Sequence, residues 1–349
     1  MEFNLPLLEK LTQTPGAPGY EDKIRQAIMD EIKGDVDEIW VDNIGNLVAV
    51  KRSQKADAPI VVVDAHMDEI AFMVNHIDDN GYLQVLPLGG FDPKTLTAQR
   101  VIVHGKKDLI GVFGGKAIHV MTPEERKKSP ELDDYFIDLG LPKEEVLKYV
   151  SLGNVVTRER NLLEMGDFVT TKSLDNRISV YILIEALRRL ERVPFHVYAL
   201  FSVQEEVGLR GATVAAQTIQ PDFSICLDVT LANDMSGVGG NKRITLAGKG
   251  TAIKIMDGRT ICDSRMVDFL KSTAEREGIS WQAEIMNVGG TNTASLQTLG
   301  KGGSIAGAIS IPLRYMHQVT ESAHKKDVQD TISLLVAALE TIDKHHWAR

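Results

Sequence analysis

The sequence predicts an α/β protein: a mainly parallel sheet with helices on both faces, interrupted by a small β-rich insertion. Three observations predict it. The runs IVVVDA (60–65), FHVYALFSV (195–203) and FSICLDV (223–229) are apolar with almost no polar break, as expected of strands covered on both faces. They alternate with helix-patterned stretches, of which VYILIEALRRLE (180–191) is apolar on most sides. From about residue 70 to 165 the pattern changes to short strand-like pieces, YLQVLPL (82–88), QRVIVHG (99–105) and LIGVFGG (109–115), separated by Gly and Pro and relieved by one weak helix, PKEEVLKYV (142–150).

Taken in order, Leu5, Leu7, Leu8 and Leu11 open an amphipathic helix that stops at TPGAPGYED (14–22), where two Pro and two Gly force a loop. A second helix carries Ile24, Ile28 and Ile32. VDEIWVD (36–42) and NLVAVKR (46–52) flank Asn43-Ile44-Gly45 as a hairpin, and the IVVVDA strand that follows ends at His66. Beyond the insertion, TASLQTL (293–299) is helical and SIAGAISIP (304–312) is a further strand. The last helix has Val328, Ile332, Leu335, Leu339 and Ile342 at helical spacing, with Asp327 placed to favour its first turn.

The 349 residues, 43% hydrophobic and 25% charged, favour two domains: one formed by 1–69 and 166–349, and the β-rich insertion at 70–165. A net charge of −9 with no basic block argues against a nucleic-acid partner. No apolar run approaches the roughly 20 residues that span a bilayer. Cys226 and Cys262 are too few and too far apart for a disulfide framework or a thiolate metal knuckle. The start, MEFNLPLLEK, lacks the basic and apolar regions of a secretory signal, so the expected location is the cytoplasm.

Five stretches offer chemistry at or just past strand-like runs: VVVDAHMD (61–68), SLDNR (173–177), FSVQEEVG (201–208), SICLDVT (224–230) and RYMHQ (314–318). Ligands gather beyond the carboxyl ends of strands in such sheets, and His66, Glu206 and Asp228 fall at three such ends. With Asp175 and His317 they make three carboxylates and two imidazoles without a thiolate, a set suited to zinc, cobalt or manganese. A pair of metals about 3.5–4 Å apart would need one carboxylate to bridge. Asp68, two residues past His66, can stand behind its imidazole or act as a turn residue. Asp175 alone would pass for a helix cap. Glu205 and Glu206 repel each other unless a cation accommodates them, and one could bind metal while the other moves a proton. Spacing does not say which. No GxSxG elbow and no phosphate loop is present, and GVGGNKRITLAGKG (237–250) is a set of turns.

AHMDEIAFMV, LDNR, QEEVGLRGA, LDV and IPLRYMHQ, with PGYED, DNIGN, VLPLGGFDP and GGTN besides, resemble the signature segments of the tetrahedral M42 metalloaminopeptidases, some of whose members are labelled endoglucanases. The resemblance covers nearly the whole chain. It implies a zinc-aminopeptidase-like fold interrupted by a dimerisation domain, and two divalent ions, zinc or cobalt. It further implies that Asp175 bridges the metals, with His66 and Asp228 on one and Glu206 and His317 on the other. Glu205 becomes the general base and Asp68 the residue behind His66. Peptide substrates and a homo-oligomer, in the family often a hollow tetrahedral dodecamer, are implied as well. GGTNTAS (289–295) departs from the family's GGTDAGA, so Asn292 is expected to replace a carboxylate of the cleft, and RYMHQ departs from RYIHS. Arg243 and Lys254 are read as solvated surface rather than specificity residues. The expected activity is a metal-dependent aminopeptidase. The rivals are a deacylase or other amidohydrolase using the same metals, a glycan hydrolase, and a metal-binding pseudoenzyme.

Overall fold

The computed structural model describes residues 3–348; the part of the N-terminal expectation that falls on Met1 and Glu2 lies outside them. Helices α1 (Leu5–Gln13) and α2 (Asp22–Ile32) bury their Leu and Ile stripes, and the hairpin strands β1 (Glu38–Val41) and β2 (Leu47–Lys51) pair antiparallel. The buried strand β3 (Ile60–His66) follows.

Six strands then close a separate antiparallel barrel: β4 (Ala71–Ile77), β5 (Leu83–Leu88), β6 (Arg100–His104), β7 (Asp108–Gly115), β8 (Tyr135–Asp138) and β9 (Val155–Arg158). Helix α3 (Lys143–Tyr149) packs Val146 into the barrel's own core beside Phe72, Phe113 and Ile137.

The chain returns to the large sheet through β10 (Leu163–Met165) and β11 (Phe168–Thr171), then α4 (Leu174–Arg189) and β12 (His196–Ser202). Next come α5 (Arg210–Ile219), β13 (Phe223–Leu231), β14 (Thr251–Met256), α6 (Ser264–Glu277), β15 (Trp281–Ile285) and α7 (Thr293–Thr298). Strands β16 (Ile305–Arg314) and β17 (Glu321–His324) precede α8 (Lys325–Thr341).

The fold is mixed α/β. The large sheet has 11 strands and is parallel at its centre, where β12, β3, β13 and β16 lie side by side, with antiparallel pairs toward both edges. Alternate residues of one strand feed two cores, since successive side chains point to opposite faces. Val61 and Val63 belong to the core shared with α1, α2, α4 and α8, while Val62 belongs to a second core with Ala215 and Ala216 of α5 and Leu296 of α7. Helices therefore cover both faces.

Asp327 lies in the first turn of α8 as expected, and it is buried and accepts the backbone N–H groups of Gly248 at 2.6 Å and Gly250 at 2.8 Å, tying α8 to the loop before β14. One local expectation changes. Lys254 is not solvated; it is fully buried against Asp257 at 2.9 Å and Glu284 at 3.4 Å. Cys226 and Cys262 are both free and buried, and no helix among the described residues is long and apolar enough to cross a membrane.

Candidate active site

The parallel centre of the sheet delivers the site. His66 is the last residue of β3, Glu205 and Glu206 follow β12 on one side of it, and Asp228 lies in β13 on the other. Asp175 enters from the start of α4, where Asp175 and Asn176 depart from helical geometry and their mutual peptide is cis. His317 comes from the turn between β16 and β17 in a left-handed conformation, φ 58°. Ser173, Gln204, Leu209 and Tyr315 have positive φ as well, so non-glycine residues in every segment but those of β3 and β13 hold a costly backbone that their surroundings must enforce.

These side chains line one cavity of about 590 Å³. Asp175 is central. Its Oδ1 lies 3.3 Å from His66 Nε2 and its Oδ2 lies 3.1 Å from His317 Nε2. Asp228 Oδ1 stands 3.9 Å from His66 Nε2, and Glu206 Oε2 is 3.6 Å from His317 Nε2. Asp175 is thus shared by two trios whose donor atoms fall within 4.8 Å of one another: His66, Asp175 and Asp228 in one, Asp175, Glu206 and His317 in the other. His66, Glu205 and Glu206 form a third such group.

Asp68 does not line the cavity. Its Oδ1 faces His66 Nδ1 at 3.3 Å and accepts the Glu205 N–H at 3.0 Å, while its Oδ2 accepts the Glu206 N–H at 3.1 Å. One buried carboxylate therefore fixes the backbone of the two glutamates and stands beside the imidazole.

The electrostatics are those of crowded anions. Burial pushes Glu206 up to about 8 with Asp175 adding repulsion, and burial pushes Asp228 up to about 7 against the pull of His66. Burial also drives Glu205 well above the carboxylate range against the pull of His66, with Asp228 and Glu206 adding repulsion. Burial would lower both imidazoles, but Asp175 raises His66 well above its ordinary value, and Asp175 with Glu206 raises His317 to about 9. Against its own burial, Asp175 is held well below its usual range by the two imidazoles. Imidazole nitrogens among carboxylates that repel one another in a buried cleft suit a divalent cation. Glu206 Oε1, buried and without a hydrogen-bond partner among the described residues, is a free donor for one.

Two features escaped the sequence reading. Glu321 accepts the backbone N–H of Asp175 at 3.0 Å and of His317 at 3.2 Å, so it sets the two segments relative to each other. Nothing in its local sequence signals the contact with Asp175, which joins residues 146 apart. Asn292 also sits elsewhere than expected. It is buried behind the cleft, donating to Asp64 Oδ2 at 2.8 Å and Ser202 Oγ at 2.9 Å, while Gly289, Gly290 and Thr291 line the cavity.

The M42 glutamyl aminopeptidase family matches residues 45–334. A lysyl aminopeptidase of Pyrococcus furiosus is 35% identical over 347 residues, covering 96% of each chain. Among solved structures, an aminopeptidase from Desulfurococcus kamchatkensis is 37% identical with a TM-score of 0.92, over 96% of this chain and 94% of that one. The TET1 peptidase of Pyrococcus horikoshii, described as able to assemble into a tetrahedron or a large octahedral shell, is 33% identical with a TM-score of 0.85, over 96% and 98%. The chain accordingly belongs to the M42 glutamyl aminopeptidase family, a metal-dependent family, and is a hydrolase of the aminopeptidase class.

Proposed function

We propose that the chain is a dinuclear metal-dependent aminopeptidase that removes N-terminal residues from peptides. The observation that carries this reading is the placement of Asp175 between His66 and His317, one oxygen toward each, with Asp228 and Glu206 completing a trio on either side. His66, Asp175 and Asp228 would hold one ion and Asp175, Glu206 and His317 the other, zinc or cobalt by donor type. Bound there, the ions polarise the scissile carbonyl and ease ionisation of the attacking water.

Glu205 takes the water proton and returns it to the departing amine. It lines the cavity, and its burial among carboxylates raises its proton affinity toward the range a shuttle needs. Asp68 keeps Glu205 in place through the backbone and the His66 ring through Nδ1.

The division into a catalytic unit at 1–69 and 166–349 and a dimerisation unit at 70–165 belongs to the same reading. So do a cytoplasmic location and a homo-oligomer. The tetrahedron named for the Pyrococcus horikoshii TET1 peptidase makes a dodecamer the assembly to look for.

Release from aminoacyl anilides and from their N-acetylated forms, with zinc or cobalt and again with chelator, tests the reading. Metal-dependent cleavage confined to the free-amine set is expected. Cleavage of the acylated set alone would make the protein a deacylase, and silence on both with metal bound would make it a pseudoenzyme.

A further inference from the structure

PGYED (18–22) and DNIGN (42–46) have no part in the chemistry above, yet each sends a side chain to the segment that carries Glu205. Strand β12 ends at Ser202, and its pairing with β3 stops there. The next four backbone N–H groups each meet a side chain instead. Val203 N–H is accepted by Asn46 Oδ1 at 3.1 Å and Gln204 N–H by Glu21 Oε1 at 3.1 Å. Glu205 and Glu206 N–H go to the two oxygens of Asp68. Asn46 also closes the far end of this segment: its Nδ2 donates to the Gly211 carbonyl at 2.9 Å, and a Cβ at Gly211 would lie 2.3 Å from its Oδ1.

Of these side chains, Glu21 is the one that local structure explains least. It occupies the N-cap position of α2, where a carboxylate ordinarily accepts an amide of the helix's own first turn, but its side chain makes no such bond. It turns away to Gly19 N–H at 2.9 Å and to Gln204 N–H, 183 residues along the chain. The side chain is buried, and burial lifts its carboxyl to about 7 with Asp68 adding repulsion. A buried carboxyl beside a second one costs stability. What it holds is a strained residue. Gln204 has φ 55°, a left-handed backbone that a non-glycine residue keeps only where its surroundings enforce it, and Glu205 follows directly.

We propose that Glu21 is a positioning residue for the proton transfer: by holding the Gln204 N–H it fixes the segment that aims Glu205 into the cleft. This rests on the reading of Glu205 as the proton shuttle. One oxygen, Oε1, takes both N–H groups, so an amide carbonyl in its place can do the same.

The test measures kcat and KM of Glu21→Leu, Glu21→Asp and Glu21→Gln on the aminoacyl anilide that the metal-loaded wild type cleaves fastest, with bound metal per chain determined on the same samples. Glu21→Leu removes the acceptor and Glu21→Asp draws it back by one methylene. Either should lower kcat by about tenfold to a hundredfold, the cost of a misplacement near 1 Å, with KM and bound metal unchanged. Glu21→Gln should recover most of the lost turnover. If Glu21→Leu does not fold, Glu21→Asp carries the comparison. The same substitution is then made in Glu205→Gln, whose residual turnover should fall no further, because the segment no longer has a base to aim. A merely structural role lowers turnover equally in both backgrounds. Equal loss in both, loss of metal in step with turnover, or an unchanged kcat in Glu21→Leu and Glu21→Asp overturns the proposal while leaving hydrolysis intact. A fully active Glu205→Gln, or a wild type silent on every free-amine anilide, removes the proton-shuttle reading and the proposal with it.

Discussion

Glu205 and Asp175 are both buried carboxyls of one cleft, yet their surroundings separate their tasks. Asp175 faces two imidazoles and stays ionised, whereas Glu205 has its backbone held by Asp68 and meets carboxylates as well as the single imidazole of His66. Glu205→Gln should therefore lower kcat by about 10²–10⁴ with bound metal unchanged, the usual scale of a lost proton-transfer group. Asp175→Ala should lose both metal and turnover. Metal content by elemental analysis beside kcat checks the pair, and a fully active Gln variant would remove the role from Glu205. Asn292 yields a second prediction. Its amide donates to Asp64 in a buried pocket, so Asn292→Asp sets two carboxyls 2.8 Å apart and should cost about 3 kcal/mol of stability. Adding Asp64→Asn restores a donor to the pair and should recover most of the loss. Denaturant midpoints of the two single variants and the double variant measure the coupling, and simple additivity would show that no such pair exists.

At the scale of elements, the loop after β3 is bound to the entrance of α4 by a buried ion cluster. Glu69 lies 2.7 Å from Lys172 Nζ and 3.6 Å from Arg177 Nη2, and it accepts the Ser173 hydroxyl and the Gly16 N–H. Burial would raise Glu69, but the two cations hold it at about 2, while burial and the neighbouring Arg177 press Lys172 down to about 8. The Glu69 shift sets the sign. A carboxyl lowered from 4.5 to about 2 contributes stability that is complete above pH 4.5 and is lost as pH falls toward 2. That amounts to roughly 3 kcal/mol at 1.36 kcal/mol per unit. The stability gap between wild type and Glu69→Gln should accordingly narrow as pH falls below 4.5; urea midpoints from pH 6 downward decide it, since titrations of groups that do not touch Glu69 cancel between the two proteins. The elements joined here were readable from sequence because β3, β12, β13 and α8 carry their burial pattern locally. The barrel's closure was not, because β4 pairs with β9 and β5 with β8 across long separations, and each short strand alone has little signal. The site was legible for a similar reason. His66, Asp175, Glu206, Asp228 and His317 sit in distinctive local segments, whereas Glu321, Asp64 and Glu21 act through contacts between segments far apart.

For the whole molecule, the site is where separate parts of the chain are forced together. Its side chains come from residue 66 to residue 317, and the barrel reaches in as well: Gly90 lines the cavity, and Arg158 at the end of β9 donates to the Gln318 carbonyl and lies 3.8 Å from Glu321. Without a cation, the folded state must bring Glu205, Glu206 and Asp228 together against their repulsion, and the unfolded chain is free of that cost. Metal bound to the folded form alone therefore acts as a clasp on the entire fold. At a thousandfold excess over Kd it stabilises by about 4.1 kcal/mol per site. Melting of the wild type should fall on exhaustive chelation and recover when zinc or cobalt is restored. Asp175→Ala, which removes the carboxylate common to both trios, should melt at one temperature whether or not metal is added. If chelation leaves the wild-type melting point unmoved, the converging carboxylates do not hold a metal that matters to the fold, and the two-ion reading fails with it.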